Sequence, residues 1–85
     1  MTYKVLFQPS AVRELGKLAR DVQVRIMARI EALAKEPRPA GVKKPEGMKE
    51  LYRLRVGDYR VVYRIQDERL IVLVVRIAHR RDVYR

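Results

Sequence analysis

Gly57-Asp58 is the feature that most restricts how this chain can fold, because it separates two strand-like runs by only two residues. Glycine at the first turn position permits a type II′ turn, which is typical of two-residue β-hairpins. Such a turn fixes the register of both strands and places Arg55 directly opposite Arg60. The segment from residue 51 to residue 66 is therefore predicted to be one β-hairpin.

Strand periodicity sorts this hairpin into two faces. One face is almost entirely apolar or aromatic: Tyr52, Leu54, Val56, Tyr59, Val61, Tyr63 and Ile65. The other face carries four arginines: Arg53, Arg55, Arg60 and Arg64. A third run, Arg69–Ile77, follows a turn or longer loop at Asp67-Glu68 and is apolar on both faces, which favours a central strand. Continued alternation places Ile77 and His79 on the arginine face.

The N-terminal half predicts one short strand and two helices. Residues 3–7 are strand-like, and apolar residues then recur at helical spacing up to Leu33. Ser10 and Asp21 are candidate N-caps of the two helices. A basic segment rich in Pro and Gly follows. We predict an α+β fold in the order β-α-α-β-β-β, with an N-terminal strand and an antiparallel helix hairpin packed on a mainly antiparallel sheet of about four strands. Residues 1–85 are expected to form a single domain.

Charge indicates the kind of partner. The chain has 20 Lys+Arg against 10 Asp+Glu, a formal net charge of +10. An excess of fixed cations attracts polyanions, so nucleic acid or the ribosome is favoured, with an acidic protein as the alternative. The longest apolar run, Leu70–Val75, is far too short to span a bilayer. We expect a soluble cytoplasmic protein without a membrane partner.

The opposition of Arg55 and Arg60 is the strongest indication of a site. Like charges directly opposite each other destabilise a sheet by several tenths of a kcal/mol. An anion that bridges the two guanidiniums would account for their retention. The alternative is that both side chains extend into solvent, where water screens them.

The whole chain resembles the RelE/ParE superfamily of toxin–antitoxin toxins. The resemblance rests on the order of elements and on Gly47-Met48, Leu51-Tyr52-Arg53-Leu54-Arg55, Gly57-Asp58-Tyr59-Arg60-Val61-Val62-Tyr63 and the ending His79-Arg80-Arg81-Asp82-Val83-Tyr84-Arg85. RelE-like members cut messenger RNA in the ribosomal A site. ParE-like members share the fold but inhibit DNA gyrase. The resemblance implies an antitoxin-inhibited toxin that forms a hetero-oligomer with its cognate antitoxin and acts on the ribosome and mRNA.

The resemblance also implies a set of catalytic residues: Arg53, Arg55, Arg60, Arg80 and Tyr84. Arg53 and Arg55 occupy positions where RelE-like enzymes have two lysines. The RNA- or ribosome-binding set is Lys43, Lys44, Lys49, Arg64, Arg81 and Arg85. In addition, Glu46 stands where an arginine that contacts the reacting phosphate is expected. Arg at 53 and 55 removes a lysine amine that could transfer a proton, and Glu46 puts a negative charge where a positive one is expected.

The expected reaction is attack of an RNA 2′-hydroxyl on the adjacent phosphate, without cofactor or metal. The arginines would stabilise the phosphorane. Tyr84 among cations could act as a base, because positive charge favours the phenolate, or could stack on a base. His79 is a possible acid or base, with a bystander as the alternative. Two non-nuclease interpretations stay open, a ParE-like gyrase inhibitor and a non-catalytic RNA-binding module.

Overall fold

The computed structural model of the chain describes residues 2–40, 42 and 51–79. It has two helices and four strands in the predicted order: β1 (Lys4–Phe7), α1 (Pro9–Gly16), α2 (Arg20–Ala32), β2 (Tyr52–Val56), β3 (Tyr59–Gln66) and β4 (Ile71–His79). A short 3₁₀ turn, Asp67–Arg69, joins β3 to β4. The predicted α+β architecture is confirmed.

The four strands form one mixed sheet in the order β1-β4-β3-β2. β1 pairs with β4 in parallel, whereas the other two pairs are antiparallel. β4 therefore lies between two neighbours, as its apolar character on both faces predicts. Because β1 and β4 are parallel, the chain between them must cross back over the sheet, and α1 and α2 belong to that connection.

The β2–β3 hairpin has the predicted register. Arg55 pairs with Arg60, and Tyr52 pairs with Tyr63. Gly57 has a φ of 61°, whereas Asp58 has no positive φ. A type II′ turn requires a positive φ at its first turn position only. Glycine adopts a positive φ without strain, so it is needed at that position.

The helices cover one face of the sheet and form the core with it. The buried cluster consists of Ala11, Ile26, Ile30, Leu33, Leu54, Val56, Val61, Tyr63, Val72, Val74 and Ile77. Burial of each large aliphatic side chain contributes about 1.5–3 kcal/mol. Tyr63 is the largest fully buried side chain, and its hydroxyl donates to the Pro37 carbonyl at 2.7 Å. Burial raises the pKa of Tyr63, because the charged phenolate is disfavoured away from water.

A β-bulge in β4 makes part of the predicted face assignment wrong. The register shifts between Val62, which pairs with Arg76, and Tyr63, which pairs with Val74. The one extra residue between these pairs reverses the alternation for the rest of the strand. Ile77 consequently belongs to the core at 1% exposure, and His79 lies on the same helix-covered face.

Both predicted helix caps are also wrong. The N-cap of α1 is Gln8, and Pro9 occupies the first turn, where its missing N–H costs nothing. The Ser10 hydroxyl instead donates to the Val75 carbonyl at 2.9 Å, next to the bulge. α2 begins at Arg20 after the N-cap Ala19, so Asp21 lies in the first turn. A negative charge there stabilises the helix by its interaction with the helix dipole.

Candidate functional site

Four arginines lie together on the sheet face opposite the helices. We call the surface formed by Arg53 and Arg55 on β2 and Arg60 and Arg64 on β3 the basic face. The register places Arg55 opposite Arg60, and the intervening residues Leu54 and Val61 are buried in the core on the other side. The structure thus brings together every predicted site residue of the hairpin.

The four arginines differ in exposure. Arg60 is only 8% exposed and lies opposite Ala78 of β4, which is also buried. Arg55 and Arg64 are exposed, and Arg53 is half-buried. The Arg55 Nε donates to the Gly57 carbonyl at 3.3 Å, which directs this side chain along its strand towards the hairpin turn. The alternative in which both opposed arginines extend into solvent is therefore wrong for Arg60.

Burial of Arg60 has an electrostatic cost. A guanidinium stays protonated at any accessible pH, and removal of a charge from water is costly unless other groups compensate. A solvent-screened surface arginine has no such cost. Arg60 makes a further interaction that compensates part of this cost, and its guanidinium stays part of the basic face although the residue is buried.

Arg76 of β4 is a further cation of this region. Because of the bulge, it lies opposite Val62. Its Nη2 forms a salt bridge with Glu14 Oε2 at 3.1 Å. The second carboxylate oxygen of Glu14 accepts a hydrogen bond from the Ile77 N–H at 2.9 Å. Glu14 thus accepts a hydrogen bond from the backbone of β4 beyond the end of β1, and its negative charge partly neutralises Arg76.

His79 lies apart from the basic face. It pairs with Tyr59 across the β3–β4 ladder, and the two rings meet edge to face at 5.5 Å between centroids. A shallow groove on this side is also lined by Glu14, Lys17 and Leu18. The prediction that His79 joins the arginines is wrong, because it assumed unbroken alternation in β4.

Several predicted site residues lie outside the described residues: Lys43, Lys44, Glu46, Lys49, Arg80, Arg81, Tyr84 and Arg85. Their roles stay predictions.

The chemistry available on the basic face is that of fixed positive charge. A rigid sheet that holds guanidiniums side by side can bind phosphates in bidentate fashion and stabilise negative charge that develops on them. Within the described ranges, no group of three or more His, Cys, Asp or Glu could hold a metal ion. The same part of the chain contains no helix that could span a membrane.

Comparison with known proteins places this geometry in a family. Residues 5–84 match the model described as the ParE toxin of the type II toxin–antitoxin system parDE. Toxin RelG of Mycobacterium tuberculosis is 34% identical over 100% of this chain and 99% of its own length. The mRNA interferase toxin RelE of Escherichia coli K12 is 31% identical over 99% of this chain and 92% of its own length.

A solved structure agrees with these relatives. The crystal structure of the archaeal RelE–RelB complex from Pyrococcus horikoshii OT3 superposes with a TM-score of 0.83 at 32% identity, covering 94% of this chain and 97% of that one. The family match to residues 5–84 includes both strands of the basic face. The chain belongs to the RelE/ParE superfamily and is a RelE-like toxin of a type II toxin–antitoxin system.

Proposed function

We propose that this toxin is a ribosome-dependent endoribonuclease that inhibits translation by cutting mRNA in the A site, and that residues 1–85 act as one toxin domain. The observation that carries the proposal is the basic face, where a buried Arg60 lies opposite Arg55. A relative of similar length that is 31% identical is named an mRNA interferase. Opposed guanidiniums are destabilising in an empty sheet but favourable around a phosphate.

The proposed reaction is an intramolecular transesterification. The RNA 2′-oxygen forms a bond to the adjacent phosphorus while the bond from phosphorus to the 5′-oxygen breaks. A base takes the 2′-hydroxyl proton, and an acid protonates the departing 5′-oxygen. The products are a 2′,3′-cyclic phosphate and a 5′-hydroxyl end, with no change of oxidation state.

The arginines supply charge stabilisation in this scheme. Arg53, Arg55 and Arg60 are held by the sheet before substrate binds, so they need little reorganisation as negative charge grows on the phosphorane. Arg80 would add a fourth cation and Tyr84 the base. We assign no proton transfer to His79, because it lies on the helix-covered face. The scheme requires neither metal nor cofactor.

Arginine is a poor proton shuttle, and this restricts where such an enzyme can work. Its pKa is too high for it to release a proton near neutral pH. With Arg at both 53 and 55, the site should cut free RNA slowly. The ribosome would hold the mRNA with its 2′-oxygen in line with the bond that breaks, and this orientation would raise the cleavage rate.

The proposed partners follow from the charge and from the comparisons. The archaeal relative was crystallised as a RelE–RelB complex, so we propose that this chain forms a hetero-oligomer with an acidic or amphipathic antitoxin segment. Neutralisation of part of the +10 charge would at the same time block access of RNA. The proposal places the toxin in the cytoplasm, with ribosomes.

The test is to add the protein to a translating extract and to map the ends of a reporter mRNA. New 5′-hydroxyl ends at codons within ribosomes support the proposal, and intact mRNA under arrested translation contradicts it. The second candidate is gyrase inhibition, which the ParE description of the matching family model favours. A supercoiling assay on the same preparation separates the two candidates.

A further inference from the structure

Four polar side chains from distant parts of the sequence meet at the end of the sheet remote from the hairpin turn. We call Tyr3, Arg38, Tyr52 and Asp67 the Arg38 cluster. The two terminal nitrogens of Arg38 donate to the two Asp67 oxygens at 3.2 and 2.8 Å. Tyr3 donates its hydroxyl proton to Asp67 Oδ1 at 2.6 Å. Asp67 therefore holds Arg38 in the bidentate geometry that fixes a guanidinium most firmly.

Arg38 in turn holds Tyr52, the first residue of β2. Its Nε donates to the Tyr52 hydroxyl at 3.1 Å, and its guanidinium carbon lies 5.4 Å from the centre of the Tyr52 ring. The Tyr52 ring also stacks on Tyr63 at 5.6 Å between centroids, with an interplanar angle of 22°. Tyr52 is thus held by both the buried core and a fixed cation.

The residue after Tyr52 is Arg53 of the basic face. Among the described strands, β2 lies at the edge of the sheet and pairs with β3. Side chains of adjacent strand residues point to opposite faces. A contact that fixes Tyr52 on the helix-covered face therefore also fixes the backbone from which Arg53 reaches the basic face.

We propose that Asp67 is a positioning residue of the toxin: by holding Arg38 against Tyr52, it fixes the start of β2 and so places Arg53 for contact with RNA. The inference rests on the proposed function. It assigns a role in RNA cleavage to an acidic residue that lies on a turn outside the basic face.

The positioning role and net charge predict opposite effects of Asp67→Asn. Asp67→Asn removes one negative charge, so net charge alone predicts tighter binding of RNA by a more cationic protein. The positioning role predicts the opposite, a weaker enzyme. Asn retains an oxygen that can accept the Tyr3 hydrogen bond, so the change is confined to the contact with Arg38.

Glu68→Gln is the matched control. Glu68 is exposed, lies in the same turn and loses the same charge on substitution. Within residues 2–40, 42 and 51–79, the Glu68 side chain makes no hydrogen bond or ion pair. Arg38→Lys is a second test variant, because it keeps the positive charge but cannot form the bidentate contact.

The experiment measures cleavage of ribosome-bound mRNA under kcat/KM conditions. We expect about a tenfold loss for Asp67→Asn and for Arg38→Lys, and an unchanged or higher value for Glu68→Gln. In an Arg53→Gln background, Asp67→Asn should cause little further loss, since both changes affect the same contact. A thermal unfolding midpoint above the assay temperature shows that each variant is folded.

Three outcomes overturn the inference. These are Asp67→Asn activity equal to that of Glu68→Gln, full activity of Arg38→Lys, or a loss that is fully additive with Arg53→Gln. The proposed function fails in a different way. In that case the wild-type protein itself would cut no mRNA on ribosomes.

Discussion

Arg55 and Arg60 lie directly opposite each other across the β2–β3 hairpin, yet only Arg60 is buried. The two guanidiniums therefore present charge at different depths on one face. Repulsion between opposed cations disfavours the hairpin by several tenths of a kcal/mol. This cost is understandable if the face binds a phosphate chain.

Arg55→Gln should impair RNA binding without impairing folding. Arg55 is exposed, and its one described hydrogen bond is to the turn of its own hairpin. Its loss should weaken ribosome binding and reduce the slope of log affinity against log salt by about one. The measurement is a salt titration of ribosome binding. Arg25→Gln, which removes an exposed cation from α2, is the control and should leave ribosome binding and its salt slope unchanged. An equal effect of both variants would mean that only total charge matters.

Tyr63→Phe should destabilise the fold by about 1–3 kcal/mol, because it leaves the buried Pro37 carbonyl without its donor. Urea unfolding monitored by circular dichroism measures the loss. Tyr59→Phe removes a hydroxyl that has no described partner and should cost about 0.5 kcal/mol or less. If both variants lose the same stability, the Tyr63 hydrogen bond is not the cause.

The stability difference between the wild type and Asp67→Asn should depend on pH in the acid range. The Arg38 guanidinium, followed by the Tyr3 hydroxyl, lowers the pKa of Asp67 below its usual 3.8. A depressed carboxyl pKa stabilises the fold above the unfolded value and loses its effect as pH falls through the folded value. The difference between the two proteins should therefore be complete above about pH 5 and should decrease as the pH falls below the usual value of 3.8. A pH-independent difference in urea unfolding would exclude the charge as its source.

The β2–β3 hairpin and its basic face could be predicted from the sequence because two local signals agree there. Gly57 specifies the turn, and the alternation of apolar and charged residues, interrupted at Val62, specifies the register. These signals need no tertiary information. The order of residues along the chain is enough to place Arg53, Arg55, Arg60 and Arg64 on one face.

The second half of β4 could not be predicted in the same way, because its register depends on contacts with α1. β1 ends at Phe7, opposite Val74. From there α1 supplies partners to the free edge: the Ser10 hydroxyl bonds to the Val75 carbonyl, and the Glu14 carboxylate to the Ile77 N–H. No residue around the bulge marks its position in the sequence. The displaced positions of Arg76 and His79 follow from this bulge.

The most direct test of the central claim is single-turnover cleavage of ribosome-bound mRNA by Arg60→Gln. Removal of a cation that stabilises the phosphorane should lower the rate by about 10²- to 10³-fold. Binding of the antitoxin with wild-type affinity would show that the variant is folded. A folded Arg60→Gln toxin that cuts mRNA within about threefold of the wild-type rate would contradict the assignment of the basic face as the site of cleavage.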